Sequence, residues 1–254
     1  MMKRIKKKLN LKFLLLIVSF LFLTIITLSS VINIYEKRHK ILNKIKSPNK
    51  YSIDTRKYDL AKSINSGGYV LLFRHAEREK WIDVQMYDSI EINKNLLAEN
   101  TYFKNAVCLS KRGFVQAKMM GEIIKDLNMP IHKVISSPSC RARQTAKLAF
   151  GGYDEIKNIF LHGGPFNQNS DEFGKQVGDT ILKYIPPKNS NIIISAHNSV
   201  IENVPFSEIK NDTDMGLEES GFYVIKNDGN KLILVNKFYS FHQFNQMFQI
   251  RPIN

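Results

Sequence analysis

The sequence predicts an α/β fold, a three-layer αβα sandwich with a mostly parallel central sheet, preceded by one transmembrane helix. From residue 66 onward, short apolar runs alternate with amphipathic stretches, the order that produces a parallel sheet covered by helices. Near the N-terminus, 23 consecutive residues carry no charge, which is enough to cross a hydrocarbon core of about 30 Å. The 254-residue chain is 43% hydrophobic and 24% charged, so its composition is globular rather than disordered.

The predicted transmembrane segment is residues 13–35, and it follows a basic segment, residues 1–12, without acidic residues. Its apolar length exceeds the roughly 7–15 residues of a cleavable signal peptide, and no A-x-A pattern follows. An uncleaved signal-anchor is therefore favoured, with cleavage as the alternative. The short basic N-terminus predicts a cytoplasmic start and an exported domain, although basic residues beyond the span nearly balance the charge.

Residues 36–60 are polar and lysine-rich and are predicted to link the membrane segment to a domain over residues 61–254. Residues 1–60 hold 14 basic and 3 acidic residues, whereas residues 61–254 hold 23 and 20. Because the domain is nearly neutral, its charge argues against nucleic acid as a partner. Because the chain has only two cysteines, Cys108 and Cys140, a four-cysteine zinc site is excluded. The sequence does not decide whether these two cysteines form a disulfide.

The elements of the predicted domain alternate along the chain. A buried strand at 69–73 precedes a helix at 111–127, whose N-cap is Ser110 and whose apolar residues recur at helical spacing. A strand at 133–136 is followed by a helix at 139–149, which ends at two glycines. A short strand near 157–161, a helix near 171–185 and a strand at 191–195 come next. Strands at 222–225 and 232–235 are joined by an Asn-Asp-Gly-Asn hairpin turn.

Three predicted strands end at the residue pairs Arg74-His75, Ser136-Ser137 and Ala196-His197. Ligands of open parallel sheets bind at the carboxyl ends of the strands. With Arg78 and Arg141, this edge would gather three guanidinium groups and two imidazoles. Cations in one pocket repel each other unless an anion joins them, and guanidinium forks match phosphoryl oxygens. The pattern therefore predicts a phosphoryl-binding pocket.

Four motifs follow one another over residues 69–200. They are Leu72-Phe73-Arg74-His75-Ala76-Glu77-Arg78, Leu109-Ser110-Lys111-Arg112-Gly113-Phe114-Val115-Gln116-Ala117, Ser136-Ser137-Pro138-Ser139-Cys140-Arg141-Ala142-Arg143-Gln144-Thr145-Ala146 and Ser195-Ala196-His197-Asn198. Together they resemble the histidine phosphatase superfamily, which includes phosphoglycerate mutases and many phosphomonoesterases. The fuller stretch VLLFRHAER and the N-terminal anchor are similar to the lipopolysaccharide core heptose phosphatase group.

The resemblance implies a role for each site residue. His75 would be the nucleophile that forms a phosphohistidine, with its other ring nitrogen held by a backbone carbonyl. The groups that would grip the phosphoryl oxygens are Arg74, Arg141 and His197. Glu172 is the candidate acid, with Asp171 and Glu77 as alternatives. The candidate substrate-binding residues are Arg78, Glu77 and Asn198. No metal or other cofactor is expected, because the arginines supply the positive charge.

The implied function is a membrane-anchored phosphomonoesterase that acts on a phosphorylated sugar, small molecule or envelope glycan. A phosphomutase and a phosphate-binding module with weak turnover are the alternatives. The catalytic domain is expected on the periplasmic, or otherwise extracytoplasmic, side of the membrane.

Overall fold

The computed structural model describes residues 55–78, 107–161, 170–210 and 216–249, all within one compact unit, Asp54–Asn254. The predicted transmembrane segment and most of the predicted linker lie outside the described residues. No helix within the described ranges has the length and hydropathy of a membrane span.

The described ranges contain five α-helices and seven strands. In chain order these are α1 (Thr55–Ser66), β1 (Val70–Arg74), α2 (Lys111–Asp126), β2 (Ile131–Ser136), α3 (Cys140–Phe150), β3 (Glu155–Ile156), α4 (Ser170–Leu182), β4 (Asn191–Ala196), β5 (Glu208–Ile209), β6 (Phe222–Asn227), β7 (Leu232–Phe238) and α5 (Phe241–Gln249). Short 3₁₀ helices occupy Asn158–Phe160 and Asn198–Ile201.

The seven strands form one sheet in the order β3-β2-β4-β1-β6-β7-β5. The pairs β3–β2, β2–β4, β4–β1 and β7–β5 are parallel, whereas β1–β6 and β6–β7 are antiparallel. This confirms the mostly parallel central sheet. The predicted hairpin is the β6–β7 connection, in which Gly229 takes a positive φ of 90° that suits a residue without a side chain.

Alternate residues of β1 point to opposite faces of the sheet and belong to two different cores. Leu71 and Phe73 pack with residues of α1, α2, α3 and α5, whereas Val70 and Leu72 pack with residues of α4. The sheet is therefore covered by helices on both faces, as the continuous apolar character of the β1 and β4 sequences predicts.

The structure differs from the sequence prediction at three places. Helix α1 crosses the expected boundary between linker and domain, and it packs on α5, which was not predicted. The prediction of a strand near 157–161 is wrong, because β3 ends at Ile156 and a 3₁₀ turn follows. That turn directs Phe160 into the core beside α4, which explains why this stretch is apolar.

The N-terminus of α2 lies directly against the loop that follows β1. A Cβ atom at Gly113 would stand 1.9 Å from the carbonyl oxygen of Glu77, so only glycine permits this approach. The same carbonyl accepts a hydrogen bond from the N–H of Ser110, the N-cap of α2. Helix α2 thereby fixes the path of the chain just after His75.

Candidate active site

The predicted site forms where three parallel strands end side by side. The N–H of His75, just beyond β1, donates to the carbonyl of Ala196 at the end of β4 over 3.0 Å. The N–H of Ser137, just beyond β2, donates to the carbonyl of Ser195 over 2.8 Å. The strand ends are thus joined one residue past the regular ladder, which brings the residues that follow β1, β2 and β4 to one edge.

His75 is held in one tautomer by its own backbone. Its Nδ1 lies 2.7 Å from the carbonyl oxygen of Ala76, and because a carbonyl can only accept, Nδ1 carries the hydrogen. The lone pair is then on Nε2. Burial and the positive charge of Arg141 hold the pKa of His75 well below its usual range. The ring is therefore neutral at neutral pH, the form that can act as a nucleophile.

The peptide between His75 and Ala76 is held by α3. The N–H of Ala76 donates to Thr145 Oγ1 over 2.9 Å, and this hydroxyl donates to the carbonyl of Arg141 over 2.8 Å. Thr145 is completely buried. The position of the His75 ring therefore depends on the first turns of α3, which also carry Arg141.

Arg141 and His197 are in direct contact. Arg141 Nη2 lies 3.3 Å from His197 Nδ1, and the rings of His197 and His75 meet edge-on with centroids 5.3 Å apart. All three residues are buried. This places one of the three expected guanidinium groups together with the two expected imidazoles.

Arg143 is directed elsewhere, as its place two residues further along α3 predicts. Its Nε donates to the carbonyl of Pro138 over 3.0 Å, and the side chain is buried rather than solvated. Arg143 thus holds the turn between β2 and α3.

Arg74 is held by a segment far away in the sequence, residues 216–221. Its Nη1 donates to the carbonyl of Leu217 over 2.5 Å, and its Nη2 lies 3.9 Å from the carboxylate of Glu219. The next residue, Ser220, donates its N–H to the carbonyl of His75 over 3.0 Å. Neither Leu217 nor Glu219 belongs to a motif, so no signal in the sequence marks them.

Two glutamines within the motifs, Gln116 and Gln144, connect the site to its surroundings, and the sequence did not predict these contacts. Gln116 accepts from the N–H of Glu77 over 2.8 Å and donates to Ser220 Oγ over 3.0 Å, so it ties the loop after β1 to residues 216–221. Gln144 accepts from the N–H of Leu109 over 2.8 Å. Both residues carry a side-chain amide within a motif that forms a helix, and this amide is the feature of the sequence that could have identified them.

The remaining predicted site residues have different surroundings. Arg78 forms an isolated backbone bridge with Leu109, and its charge contributes to lowering the pKa of His75. The carboxylate of Glu77 accepts from Ser110 Oγ at 3.1 Å and from Arg112 Nη2 at 2.6 Å, so it braces the start of α2.

Asn198 and Glu172 form hydrogen bonds outside the contacts that join His75, Arg141 and His197. Asn198 Oδ1 accepts from the hydroxyl of Tyr223 over 3.2 Å. Glu172 is exposed in the first turn of α4, where it accepts a 3.4 Å hydrogen bond from Gln176 of the same helix. Among the described residues, the structure does not bring Glu172 into contact with His75, Arg74, Arg141 or His197.

Cys108 and Cys140 form a disulfide, which answers the question that the sequence leaves open. Both residues are buried, and Cys140 directly precedes Arg141. Val107, next to the other cysteine, has its carbonyl 3.5 Å from Arg141 Nη1. The disulfide thus fixes an acceptor beside the arginine. No group of three or more His, Cys, Asp or Glu side chains with metal-binding geometry occurs in the described part of the chain.

Residues 70–158 match a family model described as the histidine phosphatase superfamily, branch 1. The matched range includes Arg74, His75 and Arg141 but ends before His197. This match supports the superfamily that the four motifs resemble. No curated protein is a significant match to this chain.

The solved structures that match this chain have low sequence identity to it. A protein histidine phosphatase, SixA, complexed with tungstate is 12% identical, with coverage of 67% of this chain and 96% of that chain and a TM-score of 0.44. A mycobacterial glucosyl-3-phosphoglycerate phosphatase is 11% identical, with coverage of 68% and 99% and a TM-score of 0.48. A phosphoserine phosphatase mutant from Entamoeba histolytica, in complex with phosphoserine, is 14% identical, with coverage of 66% and 95% and a TM-score of 0.41.

The different directions of Arg141 and Arg143 generate a prediction for any phosphoryl-transfer activity of this site. Arg141→Ala should lower kcat/KM about 10²–10³-fold, because it removes a charged donor beside the nucleophile. Arg143→Ala should lower kcat/KM less than tenfold but reduce the melting temperature, because it removes a buried hydrogen bond to the Pro138 carbonyl. Steady-state kinetics and thermal unfolding of both variants make the test. Equal rate losses in the two variants would contradict the assignment.

Proposed function

We propose that this chain is a metal-independent phosphomonoesterase of the histidine phosphatase superfamily that acts through a phosphohistidine at His75. One observation carries the proposal. The hydrogen bond from His75 Nδ1 to the Ala76 carbonyl leaves a lone pair on Nε2, in a ring that lies beside Arg141 and His197. A neutral imidazole among fixed cationic donors suits attack on a phosphoryl group.

In the first step, the guanidinium groups of Arg74 and Arg141 bind the phosphoryl oxygens and hold the phosphorus in line with His75 Nε2. A bond forms between Nε2 and phosphorus while the ester P–O bond breaks, and the alcohol leaves with a proton from an acid. Water then attacks the phosphohistidine and gives up its proton to the same carboxylate. Phosphate is released, and Nε2 regains its lone pair. The arginines supply the positive charge that a divalent metal would otherwise provide.

The proposed acid is Glu172, because members of the superfamily often carry a glutamate in the segment after the second arginine, and Glu172 lies in that segment here. Glu219 is the second candidate for the acid, because its carboxylate lies 3.9 Å from Arg74 Nη2. The contact with Arg74 suits a positioning role for Glu219, because it helps to direct a guanidinium that binds the phosphoryl group.

The proposed substrate is a phosphorylated sugar or a glycan of the cell envelope, by analogy with the heptose phosphatase group. A phosphomutase remains the second enzyme candidate. A phosphate-binding module without turnover is the non-enzymatic candidate, and hydrolysis of a phosphomonoester that depends on His75 would exclude it.

We also propose that the domain is exported and anchored by residues 13–35. The Cys108–Cys140 disulfide supports this location, because disulfides persist in oxidising compartments and are rare in the cytosol. The short basic N-terminal segment supports it as well.

The purified full-length chain should hydrolyse p-nitrophenyl phosphate in the presence of EDTA, and His75→Ala should abolish this activity. Quenching during turnover should trap an acid-labile, base-stable phosphoenzyme in the unaltered chain and none in His75→Ala, because Nε2 is the attacking atom. His132→Ala is the matched control, since His132 is an exposed histidine on β2, and it should retain full activity. An equal amount of phosphoenzyme in His75→Ala would contradict the nucleophile assignment.

Leaving-group dependence separates the two acids. Glu172→Gln should slow phosphoenzyme formation from an alkyl phosphate about 10²–10⁴-fold but leave the initial burst of p-nitrophenolate from p-nitrophenyl phosphate nearly unaffected, because a good leaving group needs no proton. Glu219→Gln should slow both substrates alike. Glu218→Gln is the control, since Glu218 is exposed beside Glu219. Selective loss on the alkyl phosphate in Glu219→Gln would transfer the acid role to that residue.

A reporter fused after Asn254 tests the location. Alkaline phosphatase should be active there in intact cells, because it folds only after export, and a fluorescent protein that requires the cytosol should stay dark. Inactive alkaline phosphatase together with a bright cytosolic reporter would reverse the topology and exclude an envelope glycan as substrate.

A further inference from the structure

Two serine hydroxyls lie on the same nitrogen of His197. Ser137 Oγ is 3.1 Å from Nε2, and Ser139 Oγ is 3.2 Å from it. On the opposite side of the ring, Arg141 Nη2 is 3.3 Å from Nδ1. All four side chains are buried, and both serines are fully enclosed. Both edges of the imidazole therefore have partners within the protein.

These contacts determine which nitrogen carries the hydrogen. A guanidinium has only donors, so a hydrogen bond with Arg141 requires a lone pair on His197 Nδ1. The hydrogen of the neutral ring is then on Nε2. A serine hydroxyl can accept, so Ser137 and Ser139 together provide acceptors for this hydrogen. His197 is thus the opposite tautomer to His75, whose hydrogen is on Nδ1.

Each serine oxygen is fixed by a further backbone contact. Ser137 Oγ accepts from the N–H of Ser139 at 3.3 Å, and Ser139 Oγ accepts from the N–H of Ala142 at 3.4 Å as the N-cap of α3. The two hydroxyls are therefore held by the tight turn between β2 and α3. This turn begins at the Ser137 N–H bond to Ser195 in β4, the strand that leads into His197.

We propose that Ser137 and Ser139 are positioning residues that hold His197 as its Nε2–H tautomer, so that its Nδ1 lone pair orients the Arg141 guanidinium. The inference rests on the proposed function for its catalytic consequence. Arg141 is then held through two acceptors, His197 Nδ1 and the Val107 carbonyl. A guanidinium held in this way is preorganised for phosphoryl oxygens before the substrate arrives.

The tautomer is read without substrate from the ¹⁵N NMR spectrum of the full-length chain labelled at histidine, because a nitrogen that carries hydrogen and one with a lone pair resonate far apart. The His197 signals are assigned by their loss in His197→Gln. Nε2–H is expected in the unaltered chain. Nδ1–H there would overturn the proposal whatever activity the protein has, so this result is distinct from failure of the proposed function.

Steady-state kinetics of serine variants test whether the two hydroxyls affect catalysis. Ser137→Ala should lower kcat for p-nitrophenyl phosphate about tenfold, the value of roughly one hydrogen bond, and Ser137→Ala with Ser139→Ala should lower it further and populate the other tautomer. Ser137→Thr, which keeps the hydroxyl, should restore kcat. Ser136→Ala is the matched control, since buried Ser136 Oγ donates to the Ser137 carbonyl and not to His197. An equal loss of kcat in Ser136→Ala, or an unchanged tautomer in the double variant, would overturn the serine role.

Discussion

The hydrogen bond between His75 Nδ1 and the Ala76 carbonyl is the contact on which the chemistry of the site depends. It places the lone pair on Nε2, and the peptide that supplies this carbonyl is held by the bond from its own N–H, that of Glu77, to Gln116. The preceding peptide is held as well, because the N–H of Ala76 is bound to Thr145 and Thr145 is bound to the carbonyl of Arg141. The nucleophile and an arginine beside it are therefore parts of one hydrogen-bonded unit.

Positive charge is the second constraint. Arg74 and Arg141 stand near neutral His75, and the cost of gathering such charges is offset by carbonyl and carboxylate oxygens. For Arg74 these acceptors are the Leu217 carbonyl and Glu219, and for Arg141 they include the Val107 carbonyl. These acceptors lie outside the motifs, since Leu217 and Glu219 belong to residues 216–221 and Val107 precedes the motif that begins at Leu109. The arginines are thus directed from outside the strand ends that carry the nucleophile.

This division explains what the sequence predicts and what it misses. Strand periodicity and the residues after β1, β2 and β4 predict the parallel sheet and the meeting of His75, Arg141 and His197, because both follow from local pattern and from the topology of parallel strands. Leu217 acts through a backbone carbonyl, which any residue has, so its identity gives no signal. Ser137 is predicted at the site only as a strand end, since its contact with His197 depends on how β2 and β4 are paired. Helix α5 is not predicted, because the role of its aromatic residues is to pack in a core that is formed mainly by other segments.

The disulfide adds a constraint of a different kind, because it acts on the unfolded chain as well as on the site. Cys108 and Cys140 are 32 residues apart, and closing a loop of this length stabilises a fold by about 3–4 kcal/mol in the chain-entropy account. The bond joins the two segments that carry Val107 and Arg141. It therefore keeps the buried guanidinium of Arg141 close to the Val107 carbonyl that accepts from it. Hydrogen bonds alone would hold that acceptor only while both segments stay packed. A covalent link keeps them adjacent during local opening, which suits a site whose charges depend on fixed carbonyls.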